Sequence, residues 1–525
     1  MSSRATHASG TPVPPPLPGV VAVDHSDQRL AELGYQTWTR RRWNGFANWA
    51  ISAGVISTVT GVFSLYGFGM NTGGPAELVF GWIVVSLGTL LVAFSMAEIC
   101  AVYPTSGGLY FWASQLAPER SAAKWAWFTA HLNFAGQVAG TASVDYAAAV
   151  FAQTLLTLRF GYTASPLRTI GFVLAILVVQ ALVNTVAVPW LAAINKAAMW
   201  WMFGSVLAIS MALLLVPGHH QSLGFALSAT YNHSGFRHGL YVAAIGLVVG
   251  GYTITGFDAS AHLSEETTRP EANASRGIVR AVYLSAIAGV VLLIALDYAI
   301  GDYAAQAGAS NPPAQVLLDA LGASWAQALL VTVLVCMLAC GLAGMTAGSR
   351  MCFALSRDRV LPWHAQWRTV SDRYGAPVRA VWFVASVSGL LALTTYIGQN
   401  DVLFNALTSV TVVGEFTAYG IPIFLRLRKG AAFRAEERFT LGRAGRLVAL
   451  VAVVWVVVLD VIACLPQFTP LWTWGTFPYA AVLLVVVLAA SQIGWWVRRA
   501  RGNTFTGPAR DVTPQYLEQF PEIVY

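Results

Sequence analysis

Apolar runs of about 20 residues follow one another along most of this 525-residue chain, and that feature alone excludes nearly every fold class but one. Wound as a helix at roughly 1.5 Å per residue, such a run matches the roughly 30 Å hydrocarbon core of a bilayer. Lipid offers no hydrogen-bond partner to a peptide group, so each crossing must satisfy its own backbone, as a helix or within a closed barrel. Barrel strands are only about 10 residues long and alternate in polarity. These runs are longer and continuously apolar, so the chain reads as an all-α integral membrane protein. With 10% charged and 56% hydrophobic residues, it has no room for several soluble domains.

The runs predict about twelve transmembrane helices, near 43–66, 77–100, 125–156, 169–188, 196–216, 239–262, 278–300, 325–349, 380–397, 401–425, 446–465 and 476–497. An even number puts both termini on one side. Of 31 Lys and Arg, all but Arg159, Arg168 and Arg237 then share that side too. This is the positive-inside asymmetry, and one helix missed or invented would have scrambled it. The expected layout is a cytoplasmic tail over 1–42, a membrane domain over 43–497 and a cytoplasmic tail over 498–525, in a multi-pass protein of the plasma membrane. The first tail is polar and Pro-rich (Pro12, Pro14, Pro15, Pro16, Pro18), lacks the apolar core of a signal peptide, and reads as disordered. The net charge of +7 is thereby a topology signal, not a nucleic-acid footprint.

Five cysteines lie mostly inside apolar runs, with Cys336 and Cys340 one turn apart, which suits packing better than a disulfide framework or a metal site. His219, His220, His233 and His238 share an outward loop at irregular spacing, and no metal centre or cofactor is expected there. The sequon Asn232-His233-Ser234 lies on the same side. No nucleophile has an evident base neighbour, so no catalytic residue is assigned and the chain is not read as an enzyme.

Local anomalies carry the functional reading. Span one holds Ser52, Gly54, Ser57, Thr58, Thr60 and Gly61, and span six holds Gly250, Gly251, Thr253, Thr255 and Gly256. Such clusters weaken a helix at mid-membrane and are tolerated where the opened backbone faces a cavity. Spans one and six are also corresponding members of two five-helix repeats, and paired interruptions there point to the midplane site of an inverted-repeat transporter. At such breaks freed N–H groups suit a carboxylate and freed carbonyls an ammonium, so a zwitterion satisfies both. Close helix packing is the other use of small residues, and Gly136 and Gly140 in span three have that spacing.

Three stretches, in order, resemble the amino acid/polyamine/organocation permease superfamily. The first is Met96-Ala97-Glu98-Ile99-Cys100-Ala101-Val102-Tyr103-Pro104-Thr105-Ser106-Gly107-Gly108-Leu109-Tyr110, an acidic residue followed by a P-x-S-G-G-x-Y turn. The second runs Gly256-Phe257-Asp258-Ala259-Ser260-Ala261-His262-Leu263-Ser264-Glu265-Glu266-Thr267, then Arg269-Pro270. The third spans Ser349-Arg350-Met351 through Ala354-Leu355-Ser356-Arg357-Asp358 to Leu361-Pro362. Arg29-Leu30-Ala31-Glu32-Leu33-Gly34-Tyr35 and Thr72-Gly73-Gly74-Pro75 are similar to segments of the branch that contains fungal GABA and choline permeases.

The resemblance implies five-plus-five inverted repeats with interrupted spans one and six, followed by two further helices, and alternating access around a central site. It implies substrate contacts at Ser57, Thr58, Val59, Thr60 and Gly61, and at Thr253, Ile254 and Thr255, an aromatic gate at Tyr252, and a polar amide at Gln137 that either reaches the site or bonds a neighbouring helix. Lys196 lies near the basic-side start of span five, not at the mid-helix position where some relatives carry a lysine. Ala343-Gly344 replaces the paired hydroxyls of sodium-coupled relatives, with Thr346 and Ser349 nearby. Proton-relay candidates are Glu98, Asp145 and Asp258 with His262, beside the intramembrane Asp297, Glu415 and Asp460. The expected function is a secondary active permease for amino acids or related small amines, proton-coupled or exchanging. Its partners are a small-molecule substrate, the lipid bilayer and protons, with no nucleic acid. A transport-inactive sensor or subunit on the same fold, or a choline or polyamine carrier, is the alternative.

Overall fold

The computed structural model describes residues 30, 33, 41, 43–397, 401–433, 439–471, 473, 477–502 and 505–508. Most of both expected tails lies outside the described residues. Among the described residues, ten helices are long and apolar enough to cross a membrane. Two further spans complete the expected twelve. Span three, Glu119–Phe160, is a single helix of 42 residues. Its hydropathy is diluted by a polar stripe, Asn133, Gln137, Thr141 and Asp145, four residues apart and buried, so the stripe faces the bundle and not lipid. Span six is built from Gly239–Gly246, Val248–Thr253 and Ala259–His262.

The remaining spans are Gly45–Ile56 with Thr58–Asn71 for span one, then Pro75–Val102, Pro166–Val186, Leu191–Leu215, Pro270–Tyr298, Pro312–Arg357, Val378–Ile397, Asp401–Lys429, Gly445–Cys464 and Tyr479–Ala500 for spans two, four, five and seven to twelve. Span eight begins well before its apolar run and bends at Gly322, whose φ of 77° no helix can hold. Short helices Leu109–Leu116, Leu223–Ser228, Tyr303–Ala307 and His364–Trp367 were not expected from hydropathy, because none is long enough to leave an apolar signal. Three span entries are capped by side chains. Asn44, Ser165 and Asn311 each accept a hydrogen bond from the N–H three residues on, and Pro166 and Pro312 occupy the first helical turn where a missing N–H costs nothing.

The two interrupted spans pack antiparallel, which is what places a site. The first half of span one meets the last piece of span six, where Ser52 Oγ donates to Phe257 O at 2.7 Å and Asn48 Nδ2 to Ser260 O at 2.9 Å. The second half of span one meets the middle piece of span six, so closely that a Cβ on Gly61 would lie 2.2 Å from Thr253 Oγ1. Gly136 of span three lies against span ten, its absent Cβ 2.9 Å from the Glu415 nitrogen, so the small-residue spacing serves close backbone approach as expected. All five cysteines are free thiols, and Cys340 Sγ bonds Val55 O at 3.2 Å. In the outward loop, His220 stacks on Tyr298 and His233 bonds Asn71.

Candidate functional site

Span one breaks at Ser57, a non-glycine residue held in the left-handed region at φ 35°. The break gives the second half-helix a fresh N-terminus, where the first N–H groups lack a carbonyl one turn back. Span six breaks over 254–258, with Gly256 at φ 74° supplying the turn, and the helix Val248–Thr253 ends in carbonyls without the next helical N–H, that of Tyr252 accepting from the Thr255 hydroxyl at 2.7 Å. A positive half-helix end and a negative one therefore face each other across mid-membrane. Between them lies a cavity of about 40 Å³, with room for two or three waters by the usual volume per water site. An amino acid needs more space, so binding requires the walls to move apart.

The cavity wall includes Thr60 and Gly61 of span one, Gln137 and Thr141 of span three, and Tyr252, Thr253 and Thr255 of span six. Six of the ten residues expected to contact substrate are therefore brought together: Thr60, Gly61, Gln137, Tyr252, Thr253 and Thr255. Gln137 lines the cavity, and its amide donates to Gly344 O of span eight at 3.1 Å. Tyr252 is buried and its hydroxyl is 2.9 Å from Ser143 Oγ, which fixes the ring in the wall. Three expected contacts face elsewhere. Thr58 Oγ1 donates to Ser285 O at 3.3 Å on span seven, and Val59 and Ile254 are buried in the apolar core. Successive helical residues turn through about 100°, so a contiguous stretch cannot all face one cavity. Ser57 stands at the break itself and bonds Thr60 Oγ1 at 2.6 Å.

Glu415 also lines the cavity, and its surroundings form a hydrogen-bonded cluster. Tyr419 Oη receives the Gly256 N–H at 3.0 Å and lies 2.8 Å from Glu415 Oε2 and 3.0 Å from Asp258 Oδ1. A phenol has one proton to give and a carboxylate has none, so both contacts are made only when one of the two carboxyls is protonated. On the other oxygen of Asp258, Asn133 Nδ2 donates at 3.0 Å and His262 Nε2 lies at 3.1 Å. His262 Nδ1 is 3.0 Å from Ser106 O. A carbonyl only accepts, so Nδ1 carries the hydrogen there, and one further proton must sit between Nε2 and Asp258. The sequence placed Asp258 and His262 together but named neither Tyr419 nor the cavity position of Glu415. Their spacing of four residues in span ten was the available signal.

His262 leads to the basic end of the bundle, where the three stretches of resemblance interlock. Arg357 grips Glu265 with two bonds of 3.0 and 3.2 Å, and the Ser106 N–H donates to the same carboxylate at 2.9 Å. Arg350 bonds Glu266 at 3.0 Å, which also accepts from the Trp43 indole at 3.2 Å. The Tyr110 hydroxyl donates to Asp358. Buried pairs with this many supporting donors hold the end shut, and loss of one partner would leave an uncompensated charge.

Two of the four proton candidates stand apart from this cluster. Glu98 pairs with Arg426 and accepts the Leu441 N–H at 3.0 Å, tying spans two and ten together away from the cavity. Asp145 accepts from Gln180 Nε2 at 2.7 Å behind the wall residue Gly341. Asp297 and Asp460 are likewise occupied, by Tyr66 at 2.6 Å and Thr417 at 2.8 Å. Ala343, expected in place of the hydroxyls of sodium-coupled relatives, lies near Gly54 at ordinary contact distance. The Thr346 hydroxyl is engaged by Asn184 and Leu342 O, both at 2.8 Å.

Comparison with known proteins agrees with this architecture. The family model for amino acid permeases matches residues 46–488. The amino-acid permease BAT1 of Arabidopsis thaliana is 35% identical over 511 residues, covering 94% of this chain and 98% of that protein. The GABA-specific permease of Saccharomyces cerevisiae is 27% identical, with 87% of this chain and 82% of the relative covered. Among solved structures, a manganese transporter of Eremococcus coleocola superposes with a TM-score of 0.55 at 14% identity, over 92% of this chain and 98% of that one, which shows the shared fold. The matched span, the interrupted helices and the near full-length identity lead to one conclusion: this chain is a multi-pass membrane transporter and belongs to the amino acid permease family.

Proposed function

We propose that the chain carries a zwitterionic amino acid through the cavity between the breaks of spans one and six, coupled to protons. The observation behind this reading is the pairing of opposite half-helix ends across one small cavity whose wall also holds a carboxyl, Glu415. The substrate carboxylate faces the N–H groups at the start of Thr58–Asn71, and its ammonium faces the span-six carbonyls, the Tyr252 ring and Glu415. A γ-amino acid carries the two charged ends this reading calls for, and the GABA-specific relative makes GABA the first compound to test. Proton entry is assigned to the cluster of Glu415, Tyr419, Asp258 and His262, whose contacts need one proton shared between Glu415 and Asp258 through Tyr419 and another between Asp258 and His262. Uptake of a labelled amino acid panel into proteoliposomes tests the substrate class. With Thr346 engaged and Ala343 beside Gly54, replacing external sodium by potassium is expected to change the rate less than twofold. Steep sodium dependence would overturn the coupling assignment.

The basic end is assigned to the cytoplasm, placing both termini there, in the plasma membrane. A cysteine introduced at Arg368 is then expected to resist an impermeant thiol reagent in intact cells, and one at Asn232 to react. Labelling of position 368 from outside would reverse the topology.

A further inference from the structure

Spans three, nine, ten and twelve enclose a groove of about 890 Å³ that is separate from the transport cavity. Its walls are apolar for most of their length, including Phe134, Val138, Phe383, Val387 and Val487. At the basic end the lining changes to Trp127, Trp363 and four nitrogen bases, Arg498, Arg501, His131 and His364, with no Asp or Glu among the described lining residues. Span twelve closes the groove from outside while only 11% of its apolar window is buried, so one wall of the groove has little protein behind it.

Arg498 is held at the mouth of this groove. Its guanidinium stacks 5.1 Å over Trp127 and donates to the carbonyls of Arg359 and Leu361. A guanidinium has five N–H donors in a planar fork, the shape that meets a phosphate. His364, in the short helix beside it, is pushed below the usual histidine range by burial and then by Arg368, Arg359 and Arg498. The mouth thus gathers positive charge. From Leu483 to Arg498 span twelve rises about 22 Å, roughly one leaflet of hydrocarbon plus its headgroup layer.

We propose that this groove binds an anionic phospholipid of the leaflet on the basic face, its acyl chains along Phe134, Val138 and Val387 and its phosphate at Arg498 and Arg501. Charge selects this occupant. A second copy of the chain joined through the same face would set these arginines against one another. A zwitterionic lipid would bring its own cation to a cationic mouth. Basic pockets between helices at a membrane face are suited to anionic headgroups.

The test is native mass spectrometry of the full-length protein in detergent, incubated with equal amounts of phosphatidylglycerol and phosphatidylcholine. The wild type is expected to retain one phosphatidylglycerol in preference. Arg498→Ala with Arg501→Ala should lower that retention by about thirtyfold, since each cation near a membrane surface strengthens anionic lipid binding by about fivefold and two act together. Arg498→Lys keeps the charge and should retain most of it, which separates lost charge from misfolding. Ala490→Trp fills the groove and should displace phosphatidylglycerol with every charge intact. Equal retention of both lipids by the wild type, or undiminished phosphatidylglycerol in the Ala490→Trp protein, would overturn the proposal. So would binding that emerges only after neutralising Asp511, Glu518 and Glu522, which would make the C-terminal segment the occupant.

Discussion

Gly61→Val is expected to lower transport at least a hundredfold for every substrate, with the protein still inserted in the membrane. The Cβ of any larger residue at 61 would lie 2.2 Å from Thr253 Oγ1 and 2.3 Å from its Cγ2, a separation that folded proteins do not tolerate. Thr253 cannot swing away cheaply, because its hydroxyl donates to Val249 O at 2.8 Å within its own helix. The second half of span one must therefore part from span six, which pulls the two half-helix ends out of register around the cavity. The damage falls on the frame, so amino acids and simple amines should suffer alike. Gly54→Ala is the matched control. It sits seven residues earlier in the same span, and its Cβ would meet the Ala343 methyl at an ordinary 3.5 Å. Uptake by proteoliposomes, normalised to reconstituted protein, reads both. Wild-type rates in a Gly61→Ala protein would show that spans one and six do not pack this closely during transport.

Tyr419→Phe should lose uptake driven by a pH gradient, by tenfold or more, while counterflow at equal pH falls less than threefold. The substitution keeps the ring, which packs 4.7 Å from Phe257, and removes only the hydroxyl joining Glu415 to Asp258. Without it the two carboxyls lose their shared proton bridge and Gly256 N–H loses its acceptor. Counterflow needs substrate to cross in both directions but needs no net proton movement, so it reports the binding site alone. Asp258→Asn should give the same split, because an amide cannot gain and lose the proton that lies between that residue and His262. If both variants keep full gradient-driven accumulation, the proton route lies elsewhere. If the wild type itself ignores the gradient, the protein is an exchanger and the cluster serves the gate.

Closure at the basic end links this cluster to alternating access. His262 sits between Asp258 and the Ser106 carbonyl, and Ser106 N–H is bonded to Glu265, the carboxylate gripped by Arg357. A change of charge on His262 therefore acts directly on the turn that helps hold the end shut. The proposed proton site thus lies one turn from the ion pairs at that end, an arrangement by which binding energy at one can bias the other.

The sequence by itself determined the number of spans and the two interruptions. In each case the bilayer enforces the pattern locally. An apolar run must be helical, and a Gly/Ser/Thr cluster at mid-membrane must open onto something other than lipid. It also brought together Asp258 and His262, which lie one turn apart on the same span. Only the tertiary structure decided which neighbours these groups met. Glu98 looked like a relay carboxylate until Arg426, 328 positions on, proved to be its partner. Thr58 and Val59 belong to the right break but face span seven and the core, because the rotation of a helix about its axis is set by what packs on it. Tyr419 joined Asp258 across 161 positions, and the motifs at 106, 265 and 357 closed on one another at the basic end. Such contacts depend on how rigid helices are seated against each other, and no local pattern in the chain records that.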